Sequence, residues 1–215
     1  ASRGWLMMKW DSHIRSLLWH EEAVSPLLEK YTNLTWEEYA LESDPFVTGG
    51  IEWFGIILML GAVLTLLMRI PYFRVFKWFL IPLWAILAID SYSNYFDVSY
   101  QSGMLVEYVL QAGIPLLFLW VLVFPKMLKK WGWMASLLAS GCFIGHGMYA
   151  VGFHPVPWSF QVMTMEILGV SEESSKSFLY VIGILDFVAG LAILVPCLRR
   201  PGLYYMIAWG AATAL

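Results

Sequence analysis

The chain has 215 residues, of which 60% are hydrophobic and 13% are charged, and its formal net charge is −3. Soluble domains average about 45–50% apolar and about 25% charged residues, so a single core of this size cannot bury the excess. The composition excludes an ordinary soluble domain and indicates that lipid is the second solvent.

Apolar runs long enough to cross a bilayer recur along the chain. A transmembrane helix needs about 20 apolar residues, and five runs meet or approach that length. These runs cover residues 50–70, 73–89, 103–124, 131–152 and 177–198. A sixth run occupies 202–215. We therefore predict an all-α, polytopic helical membrane protein with at least five full transmembrane helices and partial ones at both ends.

Basic residues mark alternate short connections between these runs. Eight of the 13 Lys and Arg fall in these connections, and none of the 16 acidic residues does. The eight are Arg69, Arg74, Lys77, Lys126, Lys129, Lys130, Arg199 and Arg200. Short basic connections stay in the cytoplasm, which predicts a multi-pass protein of the inner or plasma membrane. The cytoplasmic loops are then 69–77, 126–130 and 199–200, and the exoplasmic segments are 1–49, 90–102 and 153–176. Lipid headgroups explain the basic loops, so no nucleic-acid partner is expected.

Two stretches share one order of features: a histidine, an outer segment, a span with two glycines, and a basic turn with proline. One runs from His20 to Pro71 and the other from His154 to Pro201. We predict a tandem repeat of a four-helix bundle, with repeats over 1–125 and 126–215. The first repeat lacks most of its first span and the second stops in its third, so the chain is expected to be part of a longer protein.

Helix-start signals occur in both outer segments. Thr35 and Glu38 have the spacing of a capping box, and Ser171 is a similar N-cap residue. They predict a short helix in each outer segment, the first within residues 11–49.

Five polar residues are predicted at membrane depth, all in the outer half of the bilayer: Glu52, Glu107, Gln111, His146 and Asp186. Ionisable groups in lipid are costly unless paired or hydrated, and are functional candidates. At 1.5 Å of rise per residue, His146 and Asp186 differ in depth by about one helical turn, which their side chains can bridge on neighbouring helices. We predict an outward-opening polar pocket formed by Glu107, Gln111, His146 and Asp186, with Glu52 as a further proton-handling candidate.

Two interpretations of the His146–Asp186 pair stay open. A histidine beside a carboxylate can exchange a proton near pH 7, which suits a quinone headgroup or a small polar solute. The pair can also be an interhelical contact without chemistry. Pro155 ends the helix before His154, so His146 and His154 do not share a helix face and no metal or haem site is predicted. His154 and His20 are predicted to support the outer segments.

Three stretches in the second half carry a family resemblance: FIGHGMYAVG at 143–152, FQVMTMEILGVSEE at 160–173 and LYVIGILDFVAGLAILV at 179–195. They resemble the DoxX-like membrane proteins, in which a His-Gly element ends one span and a Gly-rich span carries one acid. Asp186 stands where that family often has Glu, and the usual lysine after the His-Gly element is missing at residues 148–150. The resemblance covers 143–201 and is faint elsewhere.

The resemblance implies a redox-associated subunit that binds a quinone or a partner oxidoreductase in the membrane or the periplasm. Members of the family include MauE-type proteins and subunits of thiosulfate:quinone oxidoreductase. Catalytic residues are not predicted, and whether the chain is an enzyme is left open. A carrier or binding protein for a small solute or lipid, and a non-catalytic membrane scaffold, are the alternatives.

Overall fold

The computed structural model describes residues 1–213, and every regular element within that range is helical. The α-helices are α1 Ser2–Lys9, α2 Ile14–Leu18, α3 Glu21–Tyr31, α4 Trp36–Glu42, α5 Asp44–Leu67, α6 Leu80–Asp97, α7 Ser102–Val123, α8 Leu128–Ala150, α9 Trp158–Leu168, α10 Glu172–Ala192 and α11 Arg199–Ala212. Two 3₁₀ segments, Pro71–Phe79 and Pro125–Met127, lead into α6 and α8. The predicted all-α class is confirmed. The predicted sixth run starts within α11, and its residues 214–215 lie outside the described part.

Within residues 1–213, four helical segments are long and apolar enough to cross a membrane: Asp44–Leu67, Pro71–Asp97, Ser102–Val123 and Glu172–Ala192. The protein is thus a polytopic helical membrane protein. Helix α8 is as long, at 23 residues, but it carries two lysines, a histidine and several glycines and serines, and it is not one of the four. The expected count of five full spans therefore stays a prediction.

The chain forms two compact units, residues 1–100 and 101–215. The first contains α1 to α6 and the second contains α7 to α11. The predicted repeat boundary between residues 125 and 126 depends on similarity between two stretches of sequence. The division into compact units does not test that similarity. The tandem repeat accordingly stays a prediction.

In the first unit, α1 packs closely against α5. A Cβ atom on Gly4 would lie 2.7 Å from the carbonyl oxygen of Gly55, and one on Gly55 would lie 2.6 Å from the carbonyl oxygen of Gly4. Glycine on both helices allows the backbones this approach. Since Gly55 lies in the middle of a membrane-crossing helix, α1 lies beside apolar α5. The exoplasmic position of segment 1–49 stays a prediction.

Asp90 joins α6 to the N-terminal part of the first unit. The residue is 2% exposed, and its Oδ1 accepts a hydrogen bond of 2.8 Å from the Ser12 hydroxyl. Its Oδ2 lies 3.6 Å from Nε of Arg3. These partners compensate the buried carboxylate, and α6 continues past Asp90 to Asp97. The exoplasmic segment expected at 90–102 is therefore helical over its first eight positions.

In the second unit, α8 lies between α7 and α10. A Cβ atom on Gly145 of α8 would lie 2.7 Å from the Cα of Glu107 on α7. On the other side of α8, a Cβ atom on Gly147 would lie 3.0 Å from the carbonyl oxygen of Gly183 on α10. Small residues on membrane helices permit such close packing. Helix α8 consequently brings its polar residues against both neighbours.

Both N-cap residues predicted from the sequence begin helices, although not both begin short ones. The capping box of Thr35 and Glu38 is present at the start of the short helix α4, as predicted. Ser171 is also an N-cap, and its hydroxyl accepts from the Ser174 N–H at 3.4 Å. However, it caps the long helix α10, so assigning it to a short outer helix was wrong. The short helix of that segment is α9, which precedes Ser171 and ends at Gly169 with a left-handed φ of 64°.

Candidate functional site around Asp186

Asp186 on α10 is the buried acid of the second unit. Its relative exposure is 0%. The carboxylate Oδ2 lies 2.6 Å from Nδ1 of His146 on α8, and Oδ1 accepts a hydrogen bond of 2.8 Å from the Tyr205 hydroxyl on α11. Each carboxylate oxygen thus has a partner, and the partners come from two other helices. A buried carboxylate is stable in a membrane helix only with such compensation.

The close approach of α8 and α10 explains why His146 reaches the carboxylate. A Cβ atom on Gly147, next to His146, would lie only 3.4 Å from the Cβ of Asp186. One on Gly183, a turn before Asp186, would lie 2.8 Å from the backbone nitrogen of Val151. Larger side chains at these positions would separate the helices. The glycines of the His-Gly and Gly-rich elements therefore hold the pair at hydrogen-bonding distance.

His146 is partly exposed, unlike the carboxylate with which it pairs. Its side chain is 22% exposed, whereas Asp186 is fully buried. When Nδ1–H donates to a carboxylate, the neutral ring keeps a lone pair on Nε2, where a proton can be accepted. The Phe160 ring on α9 lies 4.7 Å from the His146 ring, with an angle of 32° between the planes. Phe160 covers part of the imidazole from the outer segment.

The other predicted pocket residues are placed differently. Glu107 is half-buried on α7 and lies within electrostatic range of His146. Gln111, one turn further along the same helix, is exposed. Glu52 is exposed on α5 and belongs to the first unit. The structure therefore joins His146 to Asp186 directly and sets Glu107 near them, while Gln111 and Glu52 lie on exposed positions of their helices.

Both histidines predicted to support outer segments contact helix ends. Nε2 of His154 accepts a hydrogen bond of 3.2 Å from the Gly103 N–H in the first turn of α7. His20 precedes α3 as its N-cap residue, and its ring lies 4.8 Å from that of Phe96 in an edge-to-face arrangement. Helix α8 ends at Ala150, so His146 and His154 do not lie on one helix.

Tyr205 and Phe160 belong to the Asp186 cluster but were not predicted. Tyr205 lies in the sixth apolar run, where a tyrosine is an inconspicuous residue. A hydroxyl donor within an apolar run was the signal available in the sequence. Phe160 was part of the family resemblance, yet nothing in its spacing indicates a contact with His146.

Within residues 1–213, no three His, Cys, Asp or Glu side chains are grouped so that they could hold a metal ion. Comparison of the chain with protein-family models, with curated proteins and with solved structures gave no match.

Proposed function

We propose that this chain is a redox-associated integral membrane subunit in which His146 binds a quinone headgroup. The observation that carries the proposal is the pairing of a fully buried Asp186 with a histidine that is 22% exposed. Ionisable residues inside membrane helices are costly, and they commonly mark proton relays or ligand sites. The resemblance to DoxX-like proteins around these residues supports the same class of function.

The residues of the cluster have separate tasks in this proposal. Asp186 orients the imidazole through Nδ1, which leaves Nε2 to hold or release a proton. Tyr205 donates to the second carboxylate oxygen and keeps Asp186 in position. Phe160 restricts water on one side of the ring. A bound quinone would supply the two-electron redox chemistry. When Nε2 of His146 holds a proton, it donates a hydrogen bond to a carbonyl oxygen of the quinone. The aromatic ring of Phe160 suits the flat quinone ring.

We further propose that the basic connections 69–77, 126–130 and 199–200 face the cytoplasm. The positive-inside rule supports this orientation. His146 is then nearer the exoplasmic end of α8, and a partner oxidoreductase would bind from the membrane or the periplasmic side. This orientation can be tested separately by cysteine labelling of the loops in intact cells.

The test is quinone binding by the purified full chain in detergent. Decylubiquinone is titrated and the quenching of tryptophan fluorescence is followed. We expect saturable binding that His146→Gln weakens about tenfold or more, the loss typical of a hydrogen bond to a buried polar group. His13→Gln is the matched control, because His13 also bonds to an aspartate, Asp97, but lies in the first unit. Absence of saturation, or equal weakening by both variants, would contradict the proposal.

A second function is favoured by one observation. Both oxygens of Asp186 have protein partners, so the cluster is already complete as an interhelical contact. A membrane scaffold in which the cluster only joins α8, α10 and α11 would need no ligand. In that case Asp186→Asn lowers the stability of the protein, and the wild type shows no quinone binding.

A further inference from the structure

The first unit contains a cavity of about 480 Å³ between α2, α3 and the carboxyl end of α6. His20, Glu22, Phe96, Asp97 and Tyr100 are among its lining residues. Two of these carry carboxylates, and within the described part of the chain the lining includes no lysine or arginine. The charged groups of this cavity therefore favour a cation.

Three rings form adjoining walls of the cavity. The Phe96 ring lies 4.8 Å from the His20 ring at 81° and 5.6 Å from the Tyr100 ring at 89°. The faces of aromatic rings carry negative potential, and a cation within about 6 Å of a Phe or Tyr centroid is attracted to it. Aromatic side chains in the lining of a cavity can recognise substituted ammonium groups in this way.

The backbone that carries Tyr100 adopts an unfavourable conformation. Ser99 has φ of 56° and Tyr100 has φ of 61°, so two consecutive residues other than glycine are left-handed. The turn is held by hydrogen bonds from the Ser99 N–H to the Phe96 carbonyl at 3.0 Å and from the Tyr100 N–H to the Tyr95 carbonyl at 2.9 Å. It folds Tyr100 back onto Phe96. Such strain persists where the surrounding structure imposes it, and it is concentrated at binding sites.

We propose that this cavity binds a substituted ammonium group, either of a free organic cation or of a lipid headgroup. Glu22, in the first turn of α3, and Asp97, the last residue of α6, supply the negative charge. Asp97 also accepts from Nδ1 of His13 through Oδ2 at 2.8 Å, which fixes the carboxylate at the cavity wall. Phe96 and Tyr100 supply the aromatic part of the lining. The cavity lies within the first unit and is independent of the cluster around Asp186.

The experiment titrates tetramethylammonium chloride into the full chain in a maltoside detergent and follows the heat of binding. Sodium chloride at the same ionic strength is the reference titration, because it screens charge without binding aromatic rings. We expect saturable binding of the ammonium ion alone. Tyr100→Leu should weaken it about tenfold, since a ring is lost while an apolar side chain is kept.

A pair of glutamates on one helix turn gives the matched control. Glu21 and Glu22 are both exposed residues in the first turn of α3, and only Glu22 lines the cavity. Glu22→Gln should weaken binding severalfold and Glu21→Gln should leave it unchanged. Neither change affects a buried group, so both variants are expected to fold even if Tyr100→Leu does not.

The two sources of the ammonium group are separated by adding lipid to the micelles. Competition by phosphatidylcholine but not by phosphatidylglycerol indicates a lipid headgroup, and binding that neither lipid reduces indicates a free cation. Both results support the proposal. Lack of saturable tetramethylammonium binding in lipid-free micelles, or equal affinity of the Glu21→Gln and Glu22→Gln variants, would overturn it.

Discussion

Nδ1 of His146 lies 2.6 Å from Oδ2 of Asp186, although the two residues are 40 positions apart in the chain. The contact joins α8 to α10 at a point where the carboxylate is fully buried. Removing the histidine would leave the hydrogen bond from Tyr205 to the other carboxylate oxygen of Asp186. The stability of the second unit should therefore depend on the pair rather than on either residue alone.

A double-mutant cycle measures this dependence. We expect His146→Ala and Asp186→Asn each to lower the free energy of unfolding in detergent. The combined variant should lose less than the sum by about 0.5–2 kcal/mol, because the second substitution finds the interaction already removed. Thermal unfolding of the four proteins gives the coupling. Losses that add within a few tenths of a kcal/mol would show that the contact contributes nothing to stability.

The Tyr205 hydroxyl allows a more conservative test of the same cluster. Tyr205→Phe removes the hydrogen bond to Asp186 and keeps the ring, so we expect a loss of about 0.5–1.5 kcal/mol in unfolding free energy. Tyr204→Phe is the control, since Tyr204 is the preceding residue and is 71% exposed. Unfolding by denaturant should separate the two variants. Equal stability of both would mean that the hydroxyl does not support the carboxylate.

The capping box of α4 predicts a pH dependence outside the membrane. The Thr35 N–H donates to Glu38 Oε2 at 2.9 Å and the Thr35 hydroxyl donates at 3.0 Å, which lowers the pKa of Glu38 from its ordinary 4.5. A carboxyl group with a lowered folded pKa stabilises α4 above its unfolded pKa, and that contribution disappears as the pH falls through the folded pKa. Side-chain NMR titration should show the lowered pKa.

Glu37, the residue beside Glu38, provides the control for this titration. Glu38→Gln should make α4 insensitive to pH in this range, as measured by exchange of its amide protons. Glu37→Gln, at an exposed position in the same turn, should leave the pH dependence as in the wild type. A Glu38 pKa at or above 4.5 would contradict the capping geometry.

The contact between His146 and Asp186 could be predicted because depth follows from counting residues along a helix. A rise of 1.5 Å per residue sets two side chains at similar levels, and the glycines beside them indicate close packing. The capping box was equally predictable, since Thr35 and Glu38 interact within one turn. These features depend on local geometry, which the sequence alone determines well.

Asp90 and Tyr205 could not be predicted in the same way. Ser12, which donates to Asp90 from the connection between α1 and α2, is 78 residues away. Without this partner, an acid after an apolar run indicates the end of a span. Tyr205 meets Asp186 because α11 packs back on α10 at Gly202, where a Cβ atom would lie 3.2 Å from the Ala189 carbonyl oxygen. Which faces of two helices meet depends on packing across the whole unit, which hydrophobic periodicity does not specify.

Gly145 gives the strongest test of how α7 and α8 pack. Gly145→Ala should lower the unfolding free energy by about 1–3 kcal/mol, because its new Cβ would lie 2.7 Å from both the Glu107 Cα and the Gly103 carbonyl oxygen, backbone atoms that cannot rotate away. Gly132→Ala on the same helix meets nothing within 4 Å and should be neutral or stabilise by up to about 1 kcal/mol through helix propensity. Thermal unfolding compares them, and equal stability would mean that α7 and α8 are further apart than described.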